Sequence, residues 1–170
     1  MDYYKQETER LLLQKLTEDD IDAWAEFFVD NPDGRFVAVD FSLDKLTSSK
    51  IWIDRQLERY ANNQFGFLGA VEKTTGNLVG MGGILIREQF DGKDEFEIGY
   101  SLLPKYWGMG YATEIATHMK VFGKQNNVSD KFISIIHKEN VGSMNVARKN
   151  GMTNLYETTF YEMPVFVCGD

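Results

Sequence analysis

The sequence is short of the residues that mark several large protein classes. It holds one cysteine in 170 residues, Cys168, so no disulfide can close within the chain, which suits the reducing cytoplasm. A single thiol so near the end of the chain reads as inert. Two histidines, His118 and His137, without a cysteine cluster give no metal-ligand spacing. Three prolines and no low-complexity tract leave no obvious linker, so residues 1–170 read as a single domain, long enough to bury a core. No apolar run approaches the ~20 residues of a membrane span. The first ten residues, MDYYKQETER, are too charged for a secretory signal. Basic residues are outnumbered: 18 Lys and Arg against 26 Asp and Glu leave a net charge of -8, which argues against direct nucleic-acid binding.

What is present is a packed-core composition, 43% hydrophobic and 14% aromatic. TERLLLQKL (8–16) reads as a strand. Thr17 then caps a helix carrying Ile21, Trp24, Ala25 and Phe28, which NPDGR (31–35) breaks. Ile53, Leu57 and Tyr60 mark a second helix ending at Asn62-Asn63. The period then switches to strands: 65–72, 77–88 and 95–102, joined by TTGN and DGK, read as an antiparallel meander. Gly80, Gly82 and Gly83 in its middle strand suggest a bulge or a closely approaching neighbour. Tyr111, Ile115, Met119 and Phe122 form the apolar stripe of a helix over 110–124, with His118 opposite and therefore solvated. A short strand 132–136 follows, then a helix opened by Asn140 and stopped by Gly151, then closing strands 155–161 and 164–168. The order β-α-α-β-β-β-α-β-α-β-β describes an α/β fold, a mixed, mostly antiparallel central sheet flanked by helices.

The stretch YWGMGYATE (106–114) places Gly108 and Gly110 where a helix begins. The first amides of a helix lack intrahelical partners and lie at the positive end of its dipole, and glycine lets an anion come close to them. A tight turn needing positive φ accounts for the same two glycines. A Walker loop is absent, and the dinucleotide fingerprint fails at Thr113, which reduces a nucleotide-dependent oxidoreductase to a minor alternative.

EIGYSLLPKYWGMGYATE (97–114) together with ENVGSMNVARKNGM (139–152) resembles the GNAT acetyltransferases, and within them the RimJ/RimL-like branch that acetylates ribosomal protein N-termini. The family motif Q/R-x-x-G-x-G/A falls on Lys105, Gly108 and Gly110, with lysine replacing the usual planar side chain. The resemblance implies acetyl-CoA as cosubstrate and no metal. It implies the pyrophosphate on the amides of Trp107, Gly108, Met109, Gly110, Tyr111, Ala112 and Thr113. It also implies the pantetheine arm along Ser101, Leu102 and Leu103, in a gap where this strand splays from 132–136, with Asn140 hydrogen-bonding to the arm. A monomer or homodimer is expected.

The chain's charge is uneven: 11 basic and 20 acidic residues over 1–98 give -9, 7 and 3 over 99–151 give +4, and the rest carries -3. Beside the resemblance, the positive segment suits the phosphates of coenzyme A, with Lys105 and Arg148 as the expected cations. The negative one suits a cationic amine acceptor, a protein N-terminus or a small molecule. Strand alternation sets Glu95, Glu97, Gly99 and Ser101 on one face, and Glu97 is the candidate base, acting through water. By resemblance, the amide of Leu102 receives the oxyanion. The tyrosine many relatives place seven residues after the asparagine is replaced by Ala147, and Ser143 takes the role of thiol partner. Phe28, Arg35 and Phe36 are expected to shape the acceptor pocket, again by resemblance. Lysine at 105 and the missing tyrosine keep a second reading open, a non-catalytic acyl-CoA-binding or sensor domain.

Overall fold

The computed structural model describes residues 2–170. Eight strands among them form one sheet: β1 (Lys5–Glu7), β2 (Leu11–Gln14), β3 (Phe67–Glu72), β4 (Leu78–Phe90), β5 (Lys93–Leu102), β6 (Ile133–His137), β7 (Thr153–Phe160) and β8 (Met163–Gly169). Their spatial order is β1-β2-β3-β4-β5-β6-β8-β7, antiparallel throughout except for β5 beside β6. The helices are α1 (Ile21–Trp24), α2 (Lys45–Ala61), α3 (Tyr111–Gln125) and α4 (Val141–Lys149).

The element order matches the expectation with one added strand. β1 is polar and pairs with β2 alone, which is how a charged edge strand blunts a sheet. The helix expected after Thr17 is broken into a 3-10 turn (Glu18–Asp20), α1 and a second 3-10 turn (Ala25–Phe28). Three residues per turn bring positions i and i+3 onto one edge, and Trp24 stacks on Phe27 at 4.6 Å between ring centroids. Trp52 of α2 closes on Trp24 at 5.5 Å.

β4 crosses the middle of the sheet, and its glycines are there for close approach. A Cβ at Gly82 would stand 2.6 Å from Ile115 of α3, and one at Gly80 would stand 2.4 Å from the Ser101 carbonyl oxygen. Glycine's loss of β-propensity is thus exchanged for tight helix-on-sheet packing. The α3 stripe Tyr111, Ile115, Met119 and Phe122 is buried as its spacing predicts. His118 is not free in solvent: its Nε2 lies 3.3 Å from Gln6 Oε1, and burial pulls its pKa below the ordinary histidine range. Cys168 is buried, and burial pushes its thiol pKa up.

Candidate active site

β5 and β6 share one register pair, Glu97 opposite Ile133. Past it the strands separate, tied once more where Ser134 Oγ donates to the Ile98 carbonyl at 2.8 Å. Leu103 N–H donates to Val79 O at 3.0 Å on the β4 side. Strand alternation therefore turns the N–H and C=O of Leu102 the other way, into the gap. The indole Nε1 of Trp107 donates to the Leu102 carbonyl at 3.0 Å, leaving the Leu102 N–H as an open donor at the end of the strand.

The gap leads to the mouth of α3. Gly108 has φ 74° and Gly110, the helix N-cap, has φ 83°, a region that costs other residues strain. A Cβ at Gly108 would meet nothing within 4 Å, so the turn accounts for the glycine and also leaves its backbone approachable. The amides of Gly108, Met109, Gly110, Tyr111, Ala112 and Thr113 find no acceptor among the described residues; the first helical bond is Glu114 N–H to Gly110 O at 3.0 Å. Six successive free donors at a helix start form a nest for an anion. All of these residues but Met109 border a cleft of about 350 Å³, also lined by Ser101, Leu102, Trp107, Asn140, Ser143 and Lys149, among others. An elongated ligand with a diphosphate and an amide-bearing arm fits this donor set.

At the other wall, Asn140 caps α4, its Oδ1 accepting from Ser143 N at 3.0 Å, which leaves its Nδ2 free to donate. Tyr100 OH donates to the Ser143 carbonyl at 3.2 Å. Burial lifts the Tyr100 phenol far above its ordinary range, so it stays protonated.

A second cavity of about 590 Å³ opens on the α2 face of the sheet. Phe36, Val37, Tyr100, Ser101, Asn140 and Ser143 border both spaces, so the two meet at the β5–β6 gap. Glu97 stands in the wall of the second one, buried and paired through Oε2 with Arg87 Nε. Arg55 and Arg59 of α2 line it as well. The division of charge along the sequence therefore does not carry over: the acidic segment supplies three guanidinium groups and one carboxylate here. The β7–β8 hairpin roofs the space with Phe160 and Tyr161, its turn made by positive φ at Tyr161 and Glu162.

Most of the expected residues gather at these two spaces, with definite exceptions. Trp107 presents its ring, since its amide donates to Pro104 O at 3.1 Å. Leu103 turns its side chain into the core and its amide to Val79. Met109 is half exposed, with its carbonyl accepting from Arg10 Nη1 at 2.8 Å. Neither Lys105 nor Arg148 lines the cleft: Lys105 Nζ lies 5.2 Å from the Tyr106 ring centroid and Arg148 donates to Asn145 Oδ1 at 3.1 Å, while Lys149 is the cation on the cleft. Phe36 lines both cavities, while Arg35 pairs with Glu139 at 2.9 Å on the surface. Phe28 packs in the aromatic cluster and Phe27 lines the cleft instead. Sequence reasoning missed Tyr100, which is out of phase with Glu97, and the three arginines. Register from the DGK turn, setting Arg87 opposite Glu95, held the signal for one of them. Among the described residues no cluster of His, Cys, Asp or Glu could hold a metal, and no helix is long and apolar enough to cross a membrane.

Residues 10–153 match the acetyltransferase (GNAT) domain family. The uncharacterized protein YkkB of Bacillus subtilis (strain 168) is 35% identical over 83 residues, 49% of this chain and 48% of that protein, so the chain matches about half the length of this curated relative. An acetyltransferase structure from Agrobacterium tumefaciens str. C58 superposes with a TM-score of 0.78 at 25% identity, covering 98% of this chain and 95% of that one. The ribosomal L7/L12 α-N-protein acetyltransferase RimL, in complex with coenzyme A, superposes with a TM-score of 0.75 at 13% identity, covering 95% and 93%.

Proposed function

The chain belongs to the GNAT acetyltransferase family, and from that premise we propose that it transfers an acetyl group from acetyl-CoA to a primary amine. The amine belongs to a small molecule or a protein N-terminus, and it attacks the thioester directly. The observation that carries this reading is the meeting of two spaces at the β5–β6 gap, one bordered by five residues with free amides (Gly108, Gly110, Tyr111, Ala112 and Thr113) and the other by a buried carboxylate. Ser143 three residues after Asn140, Ala147 in place of a tyrosine and the likeness in fold to RimL support the RimJ/RimL-like branch. The single cysteine supports a cytoplasmic setting.

The amides of Gly108 to Thr113 would hold the diphosphate, with Lys149 beside them, and Leu102 N–H and Asn140 Nδ2 would hold the arm. Bound acetyl-CoA supplies the acetyl group as a thioester, whose C–S bond breaks as the C–N bond forms. Leu102 N–H donates to the carbonyl oxygen as it gains charge. Glu97, which lines the second cavity and not the coenzyme cleft, receives the amine's surplus proton through water on the oxygen that Arg87 leaves free. Ser143 gives a proton to the departing sulfur and regains one from solvent. With a thiol pKa of about 8.5 the leaving group is already good, so this donor contributes a modest factor.

The test is calorimetric binding of acetyl-CoA followed by thiol release on addition of an amine panel. Binding with release supports the proposal. Binding without release across the panel replaces it with an acyl-CoA sensor, and preference for NAD over coenzyme A overturns both.

A further inference from the structure

One face of α2, Trp52, Arg55, Gln56 and Arg59, looks into the second cavity at i, i+3, i+4 and i+7. The Arg59 head is not floating: Nη1 donates to Gln56 Oε1 at 3.0 Å, and buried Gln56 is itself fixed by accepting from Phe67 N–H at 2.9 Å. Arg87, across the cavity, is committed to Glu97, with its guanidinium carbon 5.0 Å from the Phe160 ring centroid. Arg55 and Arg59, by contrast, form no ion pair among the described residues. Glu97 is the one carboxylate in this wall. Partial burial and the like charges of Arg87 and Arg55 pull the Arg59 pKa down, which expresses the cost of holding these cations together without a counter-ion. A polycation entering this space meets net repulsion, whereas a carboxylate or phosphate meets two guanidinium groups without a counter-ion, Arg59 with Nη1 already on Gln56 and its other donors available.

We propose that the acceptor carries an anionic group, a carboxylate or a phosphate, close to its amine, and that Arg55 and Arg59 hold that group while the amine faces the β5–β6 gap. The inference rests on the acetyl-transfer reading and narrows its substrate class to amines bearing an anion.

The experiment measures binding of matched acceptor pairs to the protein saturated with coenzyme A, by calorimetry, so that no turnover is required. Serine against serinamide tests the carboxylate and phosphoethanolamine against ethanolamine tests the phosphate; spermidine serves as the polycation. The anionic member of at least one pair is expected to bind about tenfold or more tightly than its neutral counterpart. That preference should fall below about threefold in Arg55→Gln/Arg59→Gln, with acetyl-CoA affinity unchanged. Arg55→Gln alone, at an exposed position, should give part of the loss if the double variant melts early. Equal or tighter binding of the neutral member in both pairs, or of spermidine, overturns the proposal, as does failure of both anionic members to bind, or a preference that survives in the variants. Spermidine binding with thiol release would remove this inference and leave acetyl transfer standing; failure to bind acetyl-CoA would remove the premise.

Discussion

Glu97 and Ile133 are the one register pair between β5 and β6, so the sheet opens immediately beyond the buried carboxylate. A parallel pair that stops there leaves backbone donors of β5 without a neighbouring strand, and such groups are satisfied by solvent or ligand. Acetyl-CoA should therefore slow hydrogen exchange at Leu102 by about tenfold or more, given a ligand hydrogen bond of ~1–1.5 kcal/mol. Exchange at Leu103, already bonded to Val79, should not change. Equal protection at both, or at neither, would place the arm elsewhere.

The glycines at the mouth of α3 admit a controlled comparison. Gly110→Ala should cost about 1–2 kcal/mol of stability, because φ 83° is a left-handed conformation. Gly76→Ala, at φ 72° in the open turn between β3 and β4, should cost a similar amount. The two should differ in binding: Gly110→Ala and the bulkier Gly108→Val raise the Kd for acetyl-CoA, while Gly76→Ala does not. An unchanged Kd in both loop variants contradicts the anion nest.

Lys149 should matter to the coenzyme where Lys105 does not. An exposed charge contact contributes up to about 1 kcal/mol, so Lys149→Ala should raise the Kd by roughly fivefold at low salt. The ratio should shrink as salt rises toward 0.5 M. Lys105→Ala and Arg148→Ala should leave the Kd within about twofold. A larger effect at Lys105 would mean that its side chain swings onto the phosphates.

Glu97→Gln tests the base through its pH dependence. An α-amine is about a tenth neutral at pH 7, so the base contributes less than for a lysine acceptor, and kcat/KM should fall by roughly 10- to 100-fold there. The deficit should narrow as pH passes about 8, where the amine loses its proton unaided. Parallel profiles for the two proteins would reduce Glu97 to a structural partner of Arg87.

Local signals fixed most of the architecture. The stripe of α3, the cap at Asn140 and the turns TTGN and DGK each set an element within one or two residues of its observed bounds. What stayed hidden depends on distant partners. Whether Glu97 faces solvent or Arg87 follows from the β4–β5 register, and whether Arg59 is solvated follows from where α2 meets β3, with Gln56 held on Phe67, neither of which has a local period. The first helix failed for a related reason: stacking of Trp24 on Phe27 favours a 3-10 turn, which moved Phe27 to the cleft and Phe28 away from it. Lys105 matched a motif by position, and the choice between it and Lys149 required the spatial relation of α3 to α4.

The most direct measurement is a crystal structure with acetyl-CoA bound. The diphosphate oxygens should lie within hydrogen-bonding distance of the amides between Gly108 and Thr113, with the thioester carbonyl on Leu102 N–H. A diphosphate bound away from the start of α3, with those amides still facing solvent, would contradict the account.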